Sequence, residues 1–522
     1  MKILKIFAIT LIVVLSVHCS TEQFDIVIVN GTVYDGEGNT PLKTSIGIAK
    51  GVITKIDENI STRGAVVIDA GNLIVAPGFI DIHTHCDGQV LKEGMNSVEN
   101  YLKQGVTTVV TGNCGGGTFE VEKFYRKLDS IGTGTNFVHL VGHNTIRSKV
   151  MGMDDRAPTD EELAKMKKLV KKGMDEGAAG ISTGLFYTPG AYSATAEVVE
   201  LVDVIKNYDG FYATHLRDES DYSVGLEEAV KEAILIGEQT GVRVEIAHIK
   251  ALGKPVWGMS ERICSLIEEA RDRGVHVYAD QYPYNASSTA LSGAVVPAWV
   301  RAGGKMKDRL KNPGQLPAIK KEIAENIERR GGPESLVIVS YPADEQFEGK
   351  NLLEISHAIN KTPVETAIQL ILEGSPGIVS FNMNDADVTH FMKKDYVMTS
   401  SDGHIEVPGN GKPHPRCYGA FTRKIRKFVM EDKILSMEQA IKAATSMPAG
   451  MIGISDRGSL KVGHVADIVI FNPETIRDAA TFNEPHQYST GIDYLLVDGI
   501  QVIENGVYNG KLVGKPLRIN RE

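Results

Sequence analysis

The stretch Val75-Ala76-Pro77-Gly78-Phe79-Ile80-Asp81-Ile82-His83-Thr84-His85-Cys86-Asp87 decides how the rest of the chain is read. Val75 to Gly78 reads as a turn. Phe79 to Ile82 reads as a short buried strand, with His83 and His85 just past its end. In extended backbone, residues i and i+2 point to the same side. Two imidazoles then face one point from one rigid strand end, which suits a metal ion. Two satisfied histidines at a strand end would show the same spacing, so the remaining chain has to choose.

Outward from this stretch, the middle of the chain alternates strand and helix. Apolar strand candidates lie at 106–111, 137–141, 178–182, 211–214, 242–247, 275–279 and 396–399. Helical stretches such as 160–176 and 225–239 separate most of them. With 79–82 they make eight strands, and this alternation predicts an α/β fold, a (β/α)8 barrel over residues 77–456. Residues 283–394 are too long for one unit. They hold strand candidates at 337–340 and 378–381 and at least two helices, and read as an insertion near the barrel mouth, a candidate lid. The flanks are different. Short alternating strands at 24–33, 46–56 and 65–68 are matched by 466–471 and 492–499 near the other end. Residues 24–76 and 457–514 are therefore expected to build one small β-sandwich from both termini.

The first residues stand apart. Lys2 and Lys5 precede an apolar run over 6–17, followed by His18-Cys19-Ser20. This is the pattern of a secretory signal peptide over 1–19, too short to span as a membrane helix. Cys19 stands where a bacterial lipoprotein is lipidated, although His18 fits that signal poorly. The expectation is an exported protein, periplasmic or at the cell surface, touching membrane only through a lipid anchor at Cys19. The 522 residues carry a formal net charge of -10, which argues against a nucleic-acid partner. Cys86, Cys114, Cys264 and Cys417 are too sparse for a disulfide framework. The lysine-rich run 165–172 reads as the solvated face of an amphipathic helix.

In barrels of this kind, chemistry sits at the C-terminal ends of the strands. His83 and His85 follow the first strand, Asn113 and Cys114 the second, His215 the fifth, His248 the sixth and Asp402 the eighth. Singly, each has a plain reading. His215 would be a core histidine, Cys114 a small apolar filler and Asp402 a helix cap. Jointly, four histidines, a cysteine and an aspartate at equivalent places on five strands make a ligand set for zinc, with a thiolate as the soft donor.

The ordered motifs HTHCD at 83–87, GNCG at 112–115, THLRDE at 214–219, HIK at 248–250, YPY at 282–284, SDG at 401–403 and HPR at 414–416 resemble the amidohydrolase superfamily. Within it they resemble the D-aminoacylase group, the N-acyl-D-amino-acid deacylases, from Phe24 to Gly514. The resemblance implies a weaker metal position at His83, His85 and Asp402. It implies a tight zinc at Cys114, His215 and His248, with Cys114 reaching both. Strand four lacks the lysine that many superfamily members carboxylate as a bridge. It implies Asp402 as general base and acid for a zinc-activated water, a role that needs its pKa set by its surroundings. It implies an α-carboxylate site at Arg416, Lys250, Tyr282 and Ser288, and Tyr187 near the scissile carbonyl. His139 and His143, the latter opening a GHNTIR run the group shares, are expected to support ligands rather than be ligands. His404 lies close enough to contact substrate. Cys86 should point away from the site, and Cys417 has no evident role.

The expected activity is hydrolysis of N-acyl-D-amino acids, a small-molecule substrate class. A cyclic-amide hydrolase or dipeptidase on the same scaffold is the nearest alternative, and the missing strand-four lysine counts against it. A non-catalytic surface binding protein would have lost Asp402 or a zinc histidine, and none is lost. Neither side-chain preference nor oligomeric state is read from these motifs.

Overall fold

The computed structural model describes residues 23–409 and 411–519. The expected signal peptide and lipidation site lie outside these residues. Eight strands form one parallel sheet: β1 (Phe79–Asp81), β2 (Val106–Thr111), β3 (Asn136–Gly142), β4 (Gly180–Gly184), β5 (Phe211–His215), β6 (Arg243–Ile246), β7 (Val277–Gln281) and β8 (Val397–Thr399). They neighbour one another in chain order, with β8 beside β7 at the end of the series. The sheet closes just past its C-terminal edge. There Asp402 N donates to His83 O at 2.9 Å and His85 N to Gly403 O at 2.8 Å. That closure brings residues 83–85 against residues 402–403 across the whole length of the barrel sequence.

All residues of β2, β3, β4 and β5 are buried, which is why the sequence shows continuous apolar runs there instead of alternation. Two strands sit two residues later than their sequence signal. Residues 178–182 were expected where Gly180–Gly184 pair, and 275–279 where Val277–Gln281 pair. A shift of two residues leaves every side chain on the face expected of it, because the pleat repeats every second residue.

The helix Asp160–Asp175 starts at a capping box, with Thr159 and Glu162 satisfying each other's backbone N–H groups. It buries Met166, Val170 and Met174. The lysines of its outer face meet acidic partners at the surface: Lys165 with Glu161, Lys167 with Glu200, Lys171 with Asp175 and Lys172 with Glu176.

The insertion has its own core and its own sheet. Strands Ser287–Ala290, Gly377–Ser380 and Leu336–Ser340 pair antiparallel in that spatial order. Helices Leu316–Arg329 and Pro363–Glu373 pack Ile323, Ile327, Leu370 and Ile371 against Leu336 and Ile338. The strand Ser287–Ala290 went unread because SSTA carries no apolar alternation. The expected insertion also ran too far. Helix Asp385–Met392 packs on helix Ser260–Asp272, and its Asp387 carboxylate accepts from Gly258 N at 2.8 Å and Ser260 N at 3.2 Å. It therefore belongs to the outer ring of the barrel.

The two chain ends share one continuous nine-stranded sheet. Strand Ile26–Val33 pairs with Val66–Asp69 through its first half and with Ile74–Pro77 through its second, and on its other side its pairing with Leu42–Ala49 shifts register between Ile28 and Gly31. Ile74–Pro77 then pairs with Ile468–Phe471 from the other terminus. Ile28, Ile46, Ile68, Ile468 and Leu496 pack into one core between these strands.

One buried cation in the barrel has an ordinary, measurable consequence. Lys424 is 3% exposed, and its Nζ donates to Thr399 Oγ1 at 2.8 Å, at the end of β8. Burial pushes its ammonium from an ordinary value of 10.5 down to about 7. The unfolded chain therefore holds a proton that the folded chain has released between those two values, and stability rises with pH across that window. Lys424→Met is expected to flatten this rise and to stabilise the protein at pH 7 by up to about 4 kcal/mol. Denaturant titrations of both proteins at pH 7 and pH 9 check it, and an unchanged slope refutes it.

Candidate active site and metal centre

The strand ends converge on one cavity of about 210 Å³ at the mouth of the barrel. His85, Cys114, Tyr187, His215, His248, Lys250, Tyr282, Ser288, Asp402 and Arg416 all line it. His83 is fully buried behind them. Ten sequence-derived candidates therefore share one wall, and the eleventh backs it.

Cys114 Sγ is the hub. It lies 3.5 Å from His83 Nε2, 3.7 Å from His215 Nδ1 and 3.7 Å from His248 Nε2. His215 Nδ1 and His248 Nε2 are 2.8 Å apart. His85 Nε2 lies 3.1 Å and His83 Nε2 3.6 Å from Asp402 Oδ1. Three donor triads arise, each with its atoms within 4.8 Å: His83, His85 and Cys114; Cys114, His215 and His248; His83, His248 and Asp402. A tetrahedral zinc with bonds of about 2.0 Å to nitrogen and 2.3 Å to sulfur has sulfur–nitrogen edges of about 3.5 Å. The three sulfur–nitrogen spacings match that edge, and the His215–His248 spacing is tighter than the corresponding nitrogen pair. The donors present fit zinc in number, type and spacing.

Local backbone explains how the donors are aimed. Cys114, His248 and Asp402 have φ of 51°, 37° and 48°. Each lies just past a strand, and the left-handed turn swings its side chain toward the barrel axis. The Cys114 loop needs its glycines. A Cβ on Gly115 would lie 2.2 Å from Asn144 Oδ1, and one on Gly117 would lie 1.9 Å from Leu140 O. Strand four shows where the missing lysine's space has gone. A Cβ on Gly184 would lie 2.3 Å from Cys114 O, so the cysteine loop fills that mouth. Ser182 on the same strand accepts from Gly115 N at 3.0 Å and donates to Gly112 O, pinning the loop down.

The electrostatics favour the metal-binding forms of Cys114, His215 and Asp402, whereas, against burial, the thiolate and carboxylates around them raise His83, His85 and His248 toward imidazolium, which a bound cation would have to displace. Burial pushes the Cys114 thiol up, but His83, His215 and His248 pull it well below its ordinary value, toward thiolate. Burial pushes His215 down, toward the neutral imidazole. Burial would raise Asp402, yet Arg416, His248 and His85 hold it well below the usual carboxylate range. His404, at the exposed rim of the cavity 5.4 Å from the His85 ring, is pushed down to about 4 by loss of hydration and by the positive charges of His85 and Arg416, and is neutral. Its Nδ1 lies 3.3 Å from His85 O.

The candidate substrate groups are not idle. Arg416 Nη1 donates to Asp402 Oδ2 at 2.7 Å, and its guanidinium stacks 4.6 Å from the Tyr282 ring. Arg416 Nε and the Tyr282 hydroxyl are buried and make no protein hydrogen bond. Lys250 Nζ contacts Glu219 Oε1 at 2.6 Å and His248 Nδ1 at 2.8 Å. Tyr187 packs on His215 at 4.6 Å, and its hydroxyl meets Thr289 Oγ1 at 3.2 Å.

Other residues went unassigned in the sequence. Asp280 Oδ2 lies 3.2 Å from His83 Nδ1 and accepts from His248 N at 2.9 Å, holding two donors at once. Glu219 Oε1 lies 3.1 Å from His248 Nδ1. Glu219 stood within THLRDE, four residues past His215, and Asp280 at a strand end, so position gave a signal that residue type did not. Support from His139 and His143 is not what the structure shows. His139 Nε2 meets Thr118 O, and His143 Nε2 meets Glu197 at 2.8 Å. Their neighbours do the bracing: Asn144 donates to Gly184 O and Tyr187 O, and Thr145 to Gly116 O. Cys86 is fully buried away from the cavity, and Cys417 Sγ accepts from His404 N at 3.4 Å.

Comparison with known proteins agrees with this geometry. The amidohydrolase family profile matches residues 66–300 and 390–503. The chain is 32% identical over 520 residues to a D-aminoacylase of Alcaligenes xylosoxydans xylosoxydans, covering 95% of this chain and 98% of that one. It superposes with a TM-score of 0.81 and 30% identity on N-acyl-D-glutamate deacylase from Bordetella bronchiseptica, covering 95% of this chain and all of that one. That protein was solved with zinc and a phosphonate mimic of the tetrahedral intermediate. A D-aminoacylase structure described as having a binuclear metal centre gives the same TM-score at 29% identity, over 95% of this chain and all of that one. The chain belongs to the amidohydrolase family and, within it, to the D-aminoacylase group.

Proposed function

We propose that this protein is a zinc-dependent hydrolase that cleaves the amide bond of N-acyl-D-amino acids, releasing a carboxylate and a free D-amino acid. The observation that carries the reading is the Cys114 hub, joined to Asp402 and Arg416 in one cavity. Cys114, His215 and His248 would hold a tight ion, and His83, His85 and Asp402 a weaker second one. Zinc there supplies a water of lowered pKa and a polarised carbonyl.

The remaining work falls to the chain's own groups. Arg416, with its Nε free, grips the substrate's α-carboxylate together with Lys250, Tyr282 and Ser288. This places the scissile carbonyl beside Tyr187, whose hydroxyl donates to it. Asp402, kept ionised by Arg416, takes the proton of the attacking water and returns it to the leaving nitrogen. Substrate arrival draws Arg416 toward a second carboxylate, loosening its hold on Asp402 and making Asp402 a better base. The lysine-flanked apolar run before Cys19 supports export, to the periplasm or cell surface.

The test is a panel of N-acetyl-D-methionine, N-acetyl-D-glutamate, their L-enantiomers and a hydantoin, with and without chelator. Release of D-amino acid that stops with chelator and returns with zinc is the expected result. Opening of the hydantoin alone would overturn the reading.

A further inference from the structure

Resting on the deacylase reading, one charge in the cavity has no part in that chemistry. Arg330, just past the insertion helix Leu316–Arg329, is 2% exposed and lines the same cavity as Asp402. Its Nε donates to Tyr222 OH at 2.7 Å. With the Asn382 amide oxygen turned toward it, its Nη1 donates there at 3.2 Å. Both partners are neutral, and among the described residues no carboxylate forms an ion pair with it.

The other cavity cations are answered. Arg416 is paired with Asp402 at 2.7 Å and Lys250 with Glu219 at 2.6 Å. A buried guanidinium without a counter-ion is costly, and such groups are paired in folded proteins. The groups that hold Arg330 differ from those that hold Arg416. Arg416 belongs to the Tyr282 and Asp402 side. Arg330 is tied to Tyr222, whose ring packs on Phe186 at 5.2 Å, on the side of the loops after β4 and β5.

We propose that Arg330 binds a second carboxylate of the substrate, so that the preferred N-acyl-D-amino acids carry an anionic group besides the α-carboxylate. That group can sit on the side chain, as in aspartate and glutamate, or at the far end of a dicarboxylic acyl group. In either place the guanidinium and carboxylate form a charge-assisted pair in a cavity shielded from water.

The test compares kcat/KM of the zinc-loaded full chain on matched substrates. N-acetyl-D-glutamate against N-acetyl-D-glutamine varies only the side-chain charge, and N-acetyl-D-aspartate adds a shorter reach. N-succinyl-D-methionine against N-acetyl-D-methionine puts the charge on the acyl group. The expected result is a preference of about 100-fold for the charged member of one pair, which also identifies the source. Arg330→Gln should shrink that ratio to within about 3-fold, and Arg330→Lys should keep part of it. The wild-type ratio is informative even where a variant folds poorly. Equal rates within both pairs, or an Arg330→Gln variant that slows both members of the preferred pair alike, would overturn the inference while leaving deacylation standing. No turnover of any member would sink the deacylase reading and this inference with it.

Discussion

Asp402→Asn is expected to lower kcat by about 1,000-fold while leaving the fold and the tight zinc in place. The substitution is close to isosteric, and asparagine tolerates the left-handed backbone at φ 48° better than most residues. The asparagine oxygen can still accept from Arg416 in the place of Oδ2, with its NH2 facing His85 Nε2 in the place of Oδ1, so the hydrogen-bonded frame of the cavity survives. What disappears is the group that takes a proton from water and returns it to the leaving nitrogen. Cys114, His215 and His248 form a triad without Asp402, so tight metal should remain. Steady-state kinetics and elemental analysis on one preparation separate the two effects. Turnover near that of the wild type would remove Asp402 from the proton-transfer role.

The second large effect concerns the sulfur. Cys114→Ala should lower zinc affinity by more than about 100-fold and abolish activity at sub-micromolar metal. Cys114 Sγ stands in a triad with His215 and His248 at the tight position and also within reach of His83 and His85 at the weaker one, so its loss weakens both positions together. Alanine keeps the Cβ strain that cysteine already carries at φ 51° but cannot offset it with the sulfur's contacts. Cys114→Gly supplies the control, because glycine adopts that conformation freely. If both variants lose zinc, the sulfur is responsible. If both retain a full equivalent after dialysis, Cys114 is not a ligand.

The barrel was legible because parallel strands buried on both faces appear as apolar runs, and because chemistry-bearing residues recur just past them. The donor set was legible for the same reason: His83, His85, Cys114, His248 and Asp402 lie just past strands and His215 ends one. What the sequence hid is made by partnership across the fold. Asp280 orients His83 from 197 residues away, a relation no local pattern announces. Arg330 sits in an insertion whose strand Ser287–Ala290 has no apolar alternation, so nothing in its surroundings ties it to the cavity. The GHNTIR run drew attention to His143, because histidine is the commoner site residue, whereas Asn144 and Thr145 hold the neighbouring loops.

The left-handed turns at Cys114 and His248, though not the one at Asp402, set thermostability against activity. A non-glycine residue in that conformation costs of order 1 kcal/mol, and three such costs are concentrated at the mouth of one barrel. Directed evolution for heat resistance alone, with no selection for turnover, would find glycine favourable at 114 and 248, whereas at 402 glycine would strip the buried Arg416 of its counter-ion and cost more than it relieves. The variants it returned would melt later and hydrolyse nothing. Rounds of stabilisation on this scaffold therefore need to hold residues 114, 248 and 402 fixed and draw their gains from elsewhere, Lys424 among them.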